Sequence, residues 1–383
     1  MAHHLSNGNG ANGNGAKGNG SRANGSKVTP TRSRSRSLGS PRSRRVTVIG
    51  GAGFVGSVLV PKLLEHGDEV TILDAFLYGT DSVVGHAAQP KLQLVRGDLR
   101  NVESVVRACR DADAIVHLGG LVGDPSCAVD EDLTRQINLE STSMIGEVAR
   151  GLGIERLVFA SSCAVYGASD GLLDEEAPVA PVSVYAQTKA SSEKLLLGMA
   201  DGEFSPTMLR FGTFYGISPR PRFDLVVNLL VARAVREGTI SIFGGNQWRP
   251  FVHVHDGAEA VIACLNAPRE AIAGEAFNVG GEAQNYTLRE IATLIETLIP
   301  QVEVKFEKSA AQEANYRVSF DKIQRHLGFV PRRSLVEGIL EVKAAVESDF
   351  VADYRDAKYD NHKTLAIAGT AGLLDRLAPA VTA

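Results

Sequence analysis

The stretch VTVIGGAGFVG, Val46 to Gly56, decides the fold. VTVIG (Val46 to Gly50) is uncharged and rich in β-branched residues, the signature of a buried strand. It runs directly into Gly50, Gly53 and Gly56, spaced G-x-x-G-x-x-G, and then into a helical stretch from Val55 to His66. Each glycine has a task at such a junction. Gly50 allows the tight turn, Gly53 lets the backbone approach a pyrophosphate at the helix N-terminus, and Gly56 lets helix pack closely on strand. Gly50, Gly53, Phe54, Val55 and Gly56 are therefore the candidate cofactor-binding residues of this turn.

Working outward, the same grammar repeats. VTILD (Val70 to Asp74) reads as a second strand, LQLVRGD (Leu92 to Asp98) as a third, AIVHLG (Ala114 to Gly119) as a fourth and RLVFASS (Arg156 to Ser162) as a fifth. Helices are expected around Val102 to Ala108 and, as one long element, from Asp132 to Gly151. Strands alternating with helices at this spacing predict an α/β fold, a doubly wound parallel (Rossmann) sheet that binds its ligands beyond the carboxyl ends of the strands. After Gly216 the pattern changes to a Pro/Arg-rich loop (Ser218 to Phe223), a helix around Leu225 to Glu237, a short strand ISIFG, and helices near Leu288 to Leu298 and Leu335 to Glu347. The expected organisation is a disordered basic tail over 1–44, a dinucleotide-binding Rossmann domain over 45–215 to which a segment near 250–262 returns, a smaller α/β substrate lobe over 216–350, and an irregular tail over 351–383.

Composition bounds the function. With 383 residues, 44% hydrophobic and 22% charged, the chain is neither fibrous nor mostly disordered. The net charge of −4 hides an asymmetry: residues 1–45 carry nine Lys/Arg and no acid, so the remaining 31 basic and 44 acidic residues give −13. A folded body this acidic is not expected to bind nucleic acid. The tail reads as a solvated arm, with a polybasic docking arm or an organelle transit peptide as its functional alternatives. No apolar run is long enough for a membrane span. Cys109, Cys127, Cys163 and Cys264 have no C-x-x-C or Cys/His ligand spacing, so no metal site is expected, and a reducing, cytoplasmic setting is.

Asp74 ends the second strand, roughly 20 residues after the glycine turn, where a carboxylate accepts hydrogen bonds from both hydroxyls of an adenosine ribose and repels a 2′-phosphate. NAD is expected over NADP. Asp98, with Leu99, is placed to border the adenine, although a helix N-cap is a rival role for Asp98. Tyr185 and Lys189, i and i+4 in YAQTK, share one helix face, and Ser162 ends a sheet strand some 20 residues upstream. A tyrosine is a poor base near neutral pH unless positive charge favours its phenolate. Lys189 supplies such a charge and holds the cofactor ribose, while Ser162 holds the substrate hydroxyl that Tyr185 deprotonates.

With GGAGFVG, Asp74, GDL (Gly97 to Leu99), SSCAVYG (Ser161 to Gly167), YAQTK, LRFGTFYG (Leu209 to Gly216) and WRPFVHVHD (Trp248 to Asp256), the chain resembles the extended short-chain dehydrogenase/reductases over residues 45 to 345, in particular the NAD-dependent sugar-nucleotide epimerase/dehydratases. The resemblance implies a tightly held NAD, a catalytic triad at Ser162, Tyr185 and Lys189, a nucleotide-sugar clamped by the C-terminal lobe, and a homodimer. It also implies that Arg249 grips the substrate diphosphate. Thr213 stands where the family commonly has a phosphate-touching Asn. Asn228 and Arg222 are candidates for the nucleotide and Arg317 for a phosphate. For His117, His253 and His255 structural roles are expected.

The two residues after the catalytic Ser/Thr separate reactions within the family. Dehydratases carry Asp-Glu there, decarboxylases a Glu at the second position, and 3,5-epimerases a Cys at the second. Here they are Cys163 and Ala164, which match none of these and leave room for a 4-keto sugar to turn over. NDP-sugar 4-epimerisation is the expected reaction. Dehydration, decarboxylation or 4-reduction are the alternatives, as is a non-catalytic dinucleotide-binding protein. Cys163 is either a small packing residue or a substitute acid or base.

Overall fold

A computed structural model describes residues 43–308, 315–348 and 350–377. Most of the expected basic tail, 1–42, thus lies outside the described residues. Ser43 and Arg44, assigned to that tail, belong to the body. Ser43 Oγ donates to Glu69 Oε1 at 2.7 Å, and Arg44 pairs with Asp68 at 2.7 Å.

The main sheet has seven parallel strands: Arg45–Ile49 (β1), Glu69–Asp74 (β2), Leu92–Arg96 (β3), Ala114–His117 (β4), Arg156–Ser162 (β5), Ser205–Phe211 (β7) and Ala276–Val279 (β11). Their order is β11-β7-β5-β4-β1-β2-β3. The chain builds outward from β1 through β2 and β3, then crosses back to β4 on the other side. The switch point between β1 and β4 is where this class of sheet opens a ligand crevice. The expected doubly wound sheet is therefore borne out.

Alternation along the strands sends side chains to two faces. Val46 and Val48 pack with Val58, Leu59 and Val261 on one face. Ile49, Ile115, Leu157 and Met208 pack with Val105 and Ile145 on the other. The smaller α/β lobe has its own core of Val227, Val231, Ile240, Ile291, Ile295, Leu335 and Ile339. Its strands are Thr213–Tyr215 (β8), Trp248–His253 (β10) and Asn285–Thr287 (β12) in one sheet, and Thr239–Phe243 (β9) with Glu303–Glu307 (β13) in another. Leu172–Leu173 (β6) pairs with Arg317–Val318 (β14). From Ser43 onward the chain forms one compact unit. No helix among the described residues is long and apolar enough to cross a membrane.

Two elements differ from expectation. The long helix expected over 132–151 is three consecutive pieces, Glu131–Arg135, a π-helical turn Gln136–Glu140, and Ser141–Gly151. The turn presents buried Asn138, whose amide exchanges two hydrogen bonds with the backbone of Leu121, both 2.8 Å. Such π-bulges frequently mark functional sites. The irregular tail expected after 350 instead contains a helix, Asn361–Leu377, kinked at Gly369 (φ 60°, ψ 174°).

Candidate active site

At the end of β1, Gly50 has φ +80° and donates to Leu73 O at 2.8 Å. A Cβ there would sit 2.7 Å from Gly119 N, so the switch point closes only around glycine. Gly56, first residue of the Gly56–Glu65 helix, would place a Cβ 2.6 Å from the oxygens of Gly50 and Gly51, so the helix packs against the turn with no space for a side chain. Asp74 at the end of β2 accepts from Ala52 N at 3.0 Å and from Phe76 N at 2.7 Å. Burial pushes its carboxyl pKa up, and these N–H bonds oppose that shift. The Phe76 bond also holds that residue at φ 55°, a left-handed conformation that is strained for a bulky side chain. Asp98 forms an ion pair with Arg100 at 2.6 Å, and the N-cap of the following helix is Asn101.

All the residues read from sequence as cofactor-binding converge on one cleft. Gly50, Gly53, Phe54, Val55, Gly56, Asp74, Asp98 and Leu99 line one end of it, and Ser162, Tyr185 and Lys189 line the other. The glycine turn, the start of the Gly56–Glu65 helix and Asp74 all line this cleft. A nicotinamide dinucleotide fits this set of groups.

Tyr185 is the second residue of the Val184–Gly198 helix. Ser183 caps that helix by accepting from Ala186 N at 3.2 Å, while its own hydroxyl donates to Asp124 Oδ1 at 2.6 Å. One turn along, the Lys189 ammonium donates to Ala160 O at 2.7 Å and lies 4.7 Å from the Phe159 ring centroid and 5.9 Å from that of Tyr185. Burial lowers the Lys189 pKa to about 8. Burial also pushes the Tyr185 phenol up, reinforced by the Cys127 thiol and the Asp124 carboxylate, whereas a hydrogen bond with Ser162 acts in the opposite sense.

Beneath the triad runs a buried polar chain that sequence reading missed. Ser161 Oγ donates to Glu193 Oε1 at 2.5 Å, and Arg210 grips Glu193 through Nε at 3.0 Å and Nη2 at 2.7 Å. Arg210 also donates to Tyr166 Oη at 2.9 Å, which donates to Asn278 Oδ1 at 2.8 Å. The Cys163 thiol belongs to this layer. It is buried, donates to Arg210 O at 3.1 Å, and has its pKa pushed up by burial. It behaves as a packing residue and lies outside the cleft lining.

The candidate substrate residues are placed less uniformly. Thr213 is half-buried in β8, opposite Phe251, with its neighbours Gly212 and Phe214 forming the cleft wall. Arg249 donates to Trp248 O at 3.0 Å and stacks 5.4 Å from the ring of Tyr316, a buried tyrosine close enough to Tyr185 for their charges to interact, but Arg249 is not itself among the residues that line the cleft. Asn228 departs from expectation. Its amide is consumed by the backbone, accepting from Gly216 N and donating to Gly216 O and Arg222 O, so it shapes the 216–222 loop instead of facing a nucleotide. Arg317 also departs: it is exposed at a sheet edge, 5.2 Å over the Trp248 ring and away from the cleft. Arg222 lines the cleft but is neutralised by Asp224 at 2.8 Å.

Comparison with known proteins follows the same lines. The model of the NAD dependent epimerase/dehydratase family matches residues 46–280. The chain belongs to that family. A putative UDP-glucose 4-epimerase of Methanocaldococcus jannaschii is 31% identical, over 78% of this chain and 96% of its own length. A dTDP-glucose 4,6-dehydratase of an Actinoplanes species is 29% identical, over 78% and 97% respectively. The structure of Thermus thermophilus UDP-glucose 4-epimerase in complex with NAD superposes with a TM-score of 0.69 at 28% identity, covering 80% of this chain and 99% of that one. This family member is an NAD-dependent enzyme, and its relatives are named as epimerases, dehydratases and a decarboxylase of nucleotide sugars.

Proposed function

We propose that the protein is a nucleotide-sugar 4-epimerase that works through a transient 4-keto sugar, with Ser162, Tyr185 and Lys189 as its catalytic residues. The observation that carries the reading is the pair after Ser162. Cys163 is turned into the core, Ala164 has no polar group, and the carboxylates lining the cleft are Asp74 and Asp98 at its adenosine end. Dehydration and 3,5-epimerisation both need an acid or base at carbon 5 or 6 of the sugar in addition to the tyrosine. Epimerisation at carbon 4 needs only one proton acceptor and two faces of a ketone.

Bound NAD, held by the glycine turn, Asp74 and Lys189, would supply the hydride acceptor and donor for carbon 4. Ser162 orients the 4-hydroxyl, Tyr185 takes its proton and later gives it back, and Lys189 holds positive charge beside the phenol while anchoring the ribose. Arg249, stacked on Tyr316, is the diphosphate contact in this reading, with residues 216–350 as the substrate lobe. Support for nucleotide sugars as the substrate class comes from relatives of all three reaction types, epimerases, dehydratases and a decarboxylase. Homodimerisation in the cytoplasm is part of the proposal. Exposed Leu195 on the Val184–Gly198 helix and Leu152 beside the Ser141–Gly151 helix offer apolar surface for pairing, and sedimentation of the purified protein measures it.

One observation favours dehydration as the second reading: Asp124 is close enough to Tyr185 to raise its pKa. Proton NMR in deuterated water separates the two. The protein is supplied with a panel of UDP-, dTDP-, GDP- and CDP-sugars and NAD, without reductant. A 4-epimer free of deuterium supports the proposal, whereas deuterium at carbon 3, 5 or 6 overturns it.

A further inference from the structure

The segment after residue 350 lies outside the part matched by the family, yet it is built into the active site. It starts on the smaller lobe, where Val351 and Tyr354 are buried in that core and Tyr359 O accepts from Phe223 N at 2.8 Å. Asn361 then opens the kinked helix. Its side chain accepts from Arg220 Nη2 at 2.6 Å, and its N–H donates to Asp224 at 3.3 Å. From there the helix crosses to the main-sheet side. Thr370 Oγ1 donates to Asp130 Oδ2 at 2.6 Å, and Leu365, Leu373 and Leu377 are buried against Leu121, Cys127, Leu133 and Ile137. Ala75 and Leu77 beside Asp74, and Tyr185 itself, pack against the same cluster.

Both ends of this helix reach the cleft, since Asn361 and Leu377 form part of its wall. Asn361 also fixes Arg220, a buried cleft residue whose guanidinium lies 3.9 Å over the Tyr78 ring. Arg220 Nε has no hydrogen-bond partner among the described residues, and burial lowers its pKa to about 10. Asp224 and Asp74 act on this guanidinium only through space, and among the described residues it forms no ion pair, so its Nε is free to donate to an anion. A dinucleotide diphosphate supplies one, and so does the diphosphate of a nucleotide sugar.

We propose that residues 357–377 are a strap that completes the cofactor site in cis and makes NAD a non-exchanging group, with Arg220 turned by Asn361 toward the dinucleotide diphosphate. The purpose of the strap rests on the reading that the hydride is returned within each turnover, as in epimerisation, dehydration and decarboxylation alike, because only such a reaction can keep its cofactor enclosed. Its geometry does not rest on that reading.

The test uses the full chain carrying radiolabelled NAD and follows release into excess unlabelled NAD, with no sugar present. Leu373→Ala loosens the strap's apolar anchor, while Asn361→Ala and Thr370→Val remove its polar ties. At least tenfold faster release is expected for Leu373→Ala, with a smaller acceleration for each of the other two. Ile367→Ala, at a position 74% exposed on the same helix, is the control and leaves release unchanged. A parent that releases NAD within seconds overturns the proposal. So do variants that exchange at the parent rate while only their melting temperatures fall, the outcome of a purely structural helix. Should Leu373→Ala fail to fold, the two polar variants carry the test. If Arg220→Lys weakens nucleotide-sugar binding and leaves NAD release unchanged, the diphosphate at Arg220 is the substrate's and that part of the proposal fails. The NMR experiment can fail independently, because exchange requires no sugar chemistry.

Discussion

Lys189→Met should make the NAD-free protein more stable near neutral pH while abolishing turnover. The Lys189 side chain is buried, and its pKa falls from 10.5 to about 8 for that reason. At about 1.36 kcal/mol per pH unit, holding the ammonium in the folded chain costs about 3 kcal/mol at pH 7. Methionine fills similar space without the charge, but it forfeits the hydrogen bond to Ala160 O and the contact with the Phe159 ring, together about 1–2 kcal/mol. The net expectation is a gain of about 1–2 kcal/mol at pH 7. The pH dependence carries the diagnosis. Because the folded value lies below the unfolded one, the unfolded chain binds the extra proton between pH 8 and 10.5, so the stability contributed by this site in the parent rises with pH across that window. The advantage of the variant should therefore shrink by about 2 kcal/mol between pH 7 and 9.5. Urea unfolding of both proteins at matched pH measures the difference, in which other titrating groups cancel. A variant less stable than the parent at pH 7 by more than about 1 kcal/mol, with a difference that does not change with pH, would refute the reasoning.

Other expectations follow from neighbouring residues. Tyr185→Phe should retain NAD but lower kcat by about 10²–10⁴-fold, read in single-turnover assays, and full activity would remove Tyr185 from proton transfer. Gly56→Ala forces a Cβ to within 2.6 Å of rigid backbone, so it should destabilise the fold by about 1–3 kcal/mol in urea unfolding and weaken NAD retention in parallel. Arg210→Met strands the buried Glu193 carboxylate and should cost about 3–5 kcal/mol by the same measurement. Arg317→Ala, at an exposed site, should leave KM for the sugar nucleotide unchanged, whereas Arg249→Ala should raise it.

The sequence was most legible where local chemistry and tertiary packing demand the same residues. The buried strands of a parallel sheet read as apolar runs, and the glycine spacing encodes a backbone too tight for any Cβ, so both could be seen without coordinates. The helix Asn361–Leu377 was missed because Gly369 interrupts it and its buried leucines, 365, 373 and 377, do not maintain a continuous helical stripe. They become a face only once the kink and the Leu121–Ile137 surface are known. Arg220 and Arg222 look equivalent in SPRPRF. Both line the cleft, and what separates them is Asp224, which forms an ion pair with Arg222 and, among the described residues, none with Arg220. Asn228 presents the opposite problem: an amide in a ligand-facing loop and an amide holding that loop together have the same sequence signature. The sequence around Arg317 likewise says nothing of which way a two-residue edge strand will turn its side chain.

The electrostatics of the triad connect the cofactor to the choice of reaction. Burial keeps the proton on Tyr185 and pulls the Lys189 pKa down to about 8, so protein charges alone leave the phenol a poor base near neutral pH. Only added positive charge inside the cleft can favour the phenolate, which makes base strength conditional on the cleft being filled. The chain Ser161–Glu193–Arg210–Tyr166–Asn278 does not contribute a proton to this switch. It clamps β5, β7 and β11 beneath it, fixing the strand end from which Ser162 meets Tyr185. A rigid floor and a conditional base suit a reaction in which the same proton must leave and return. The strap at the cleft's mouth serves that requirement too, since a cofactor that stays in place keeps the base available for the return step.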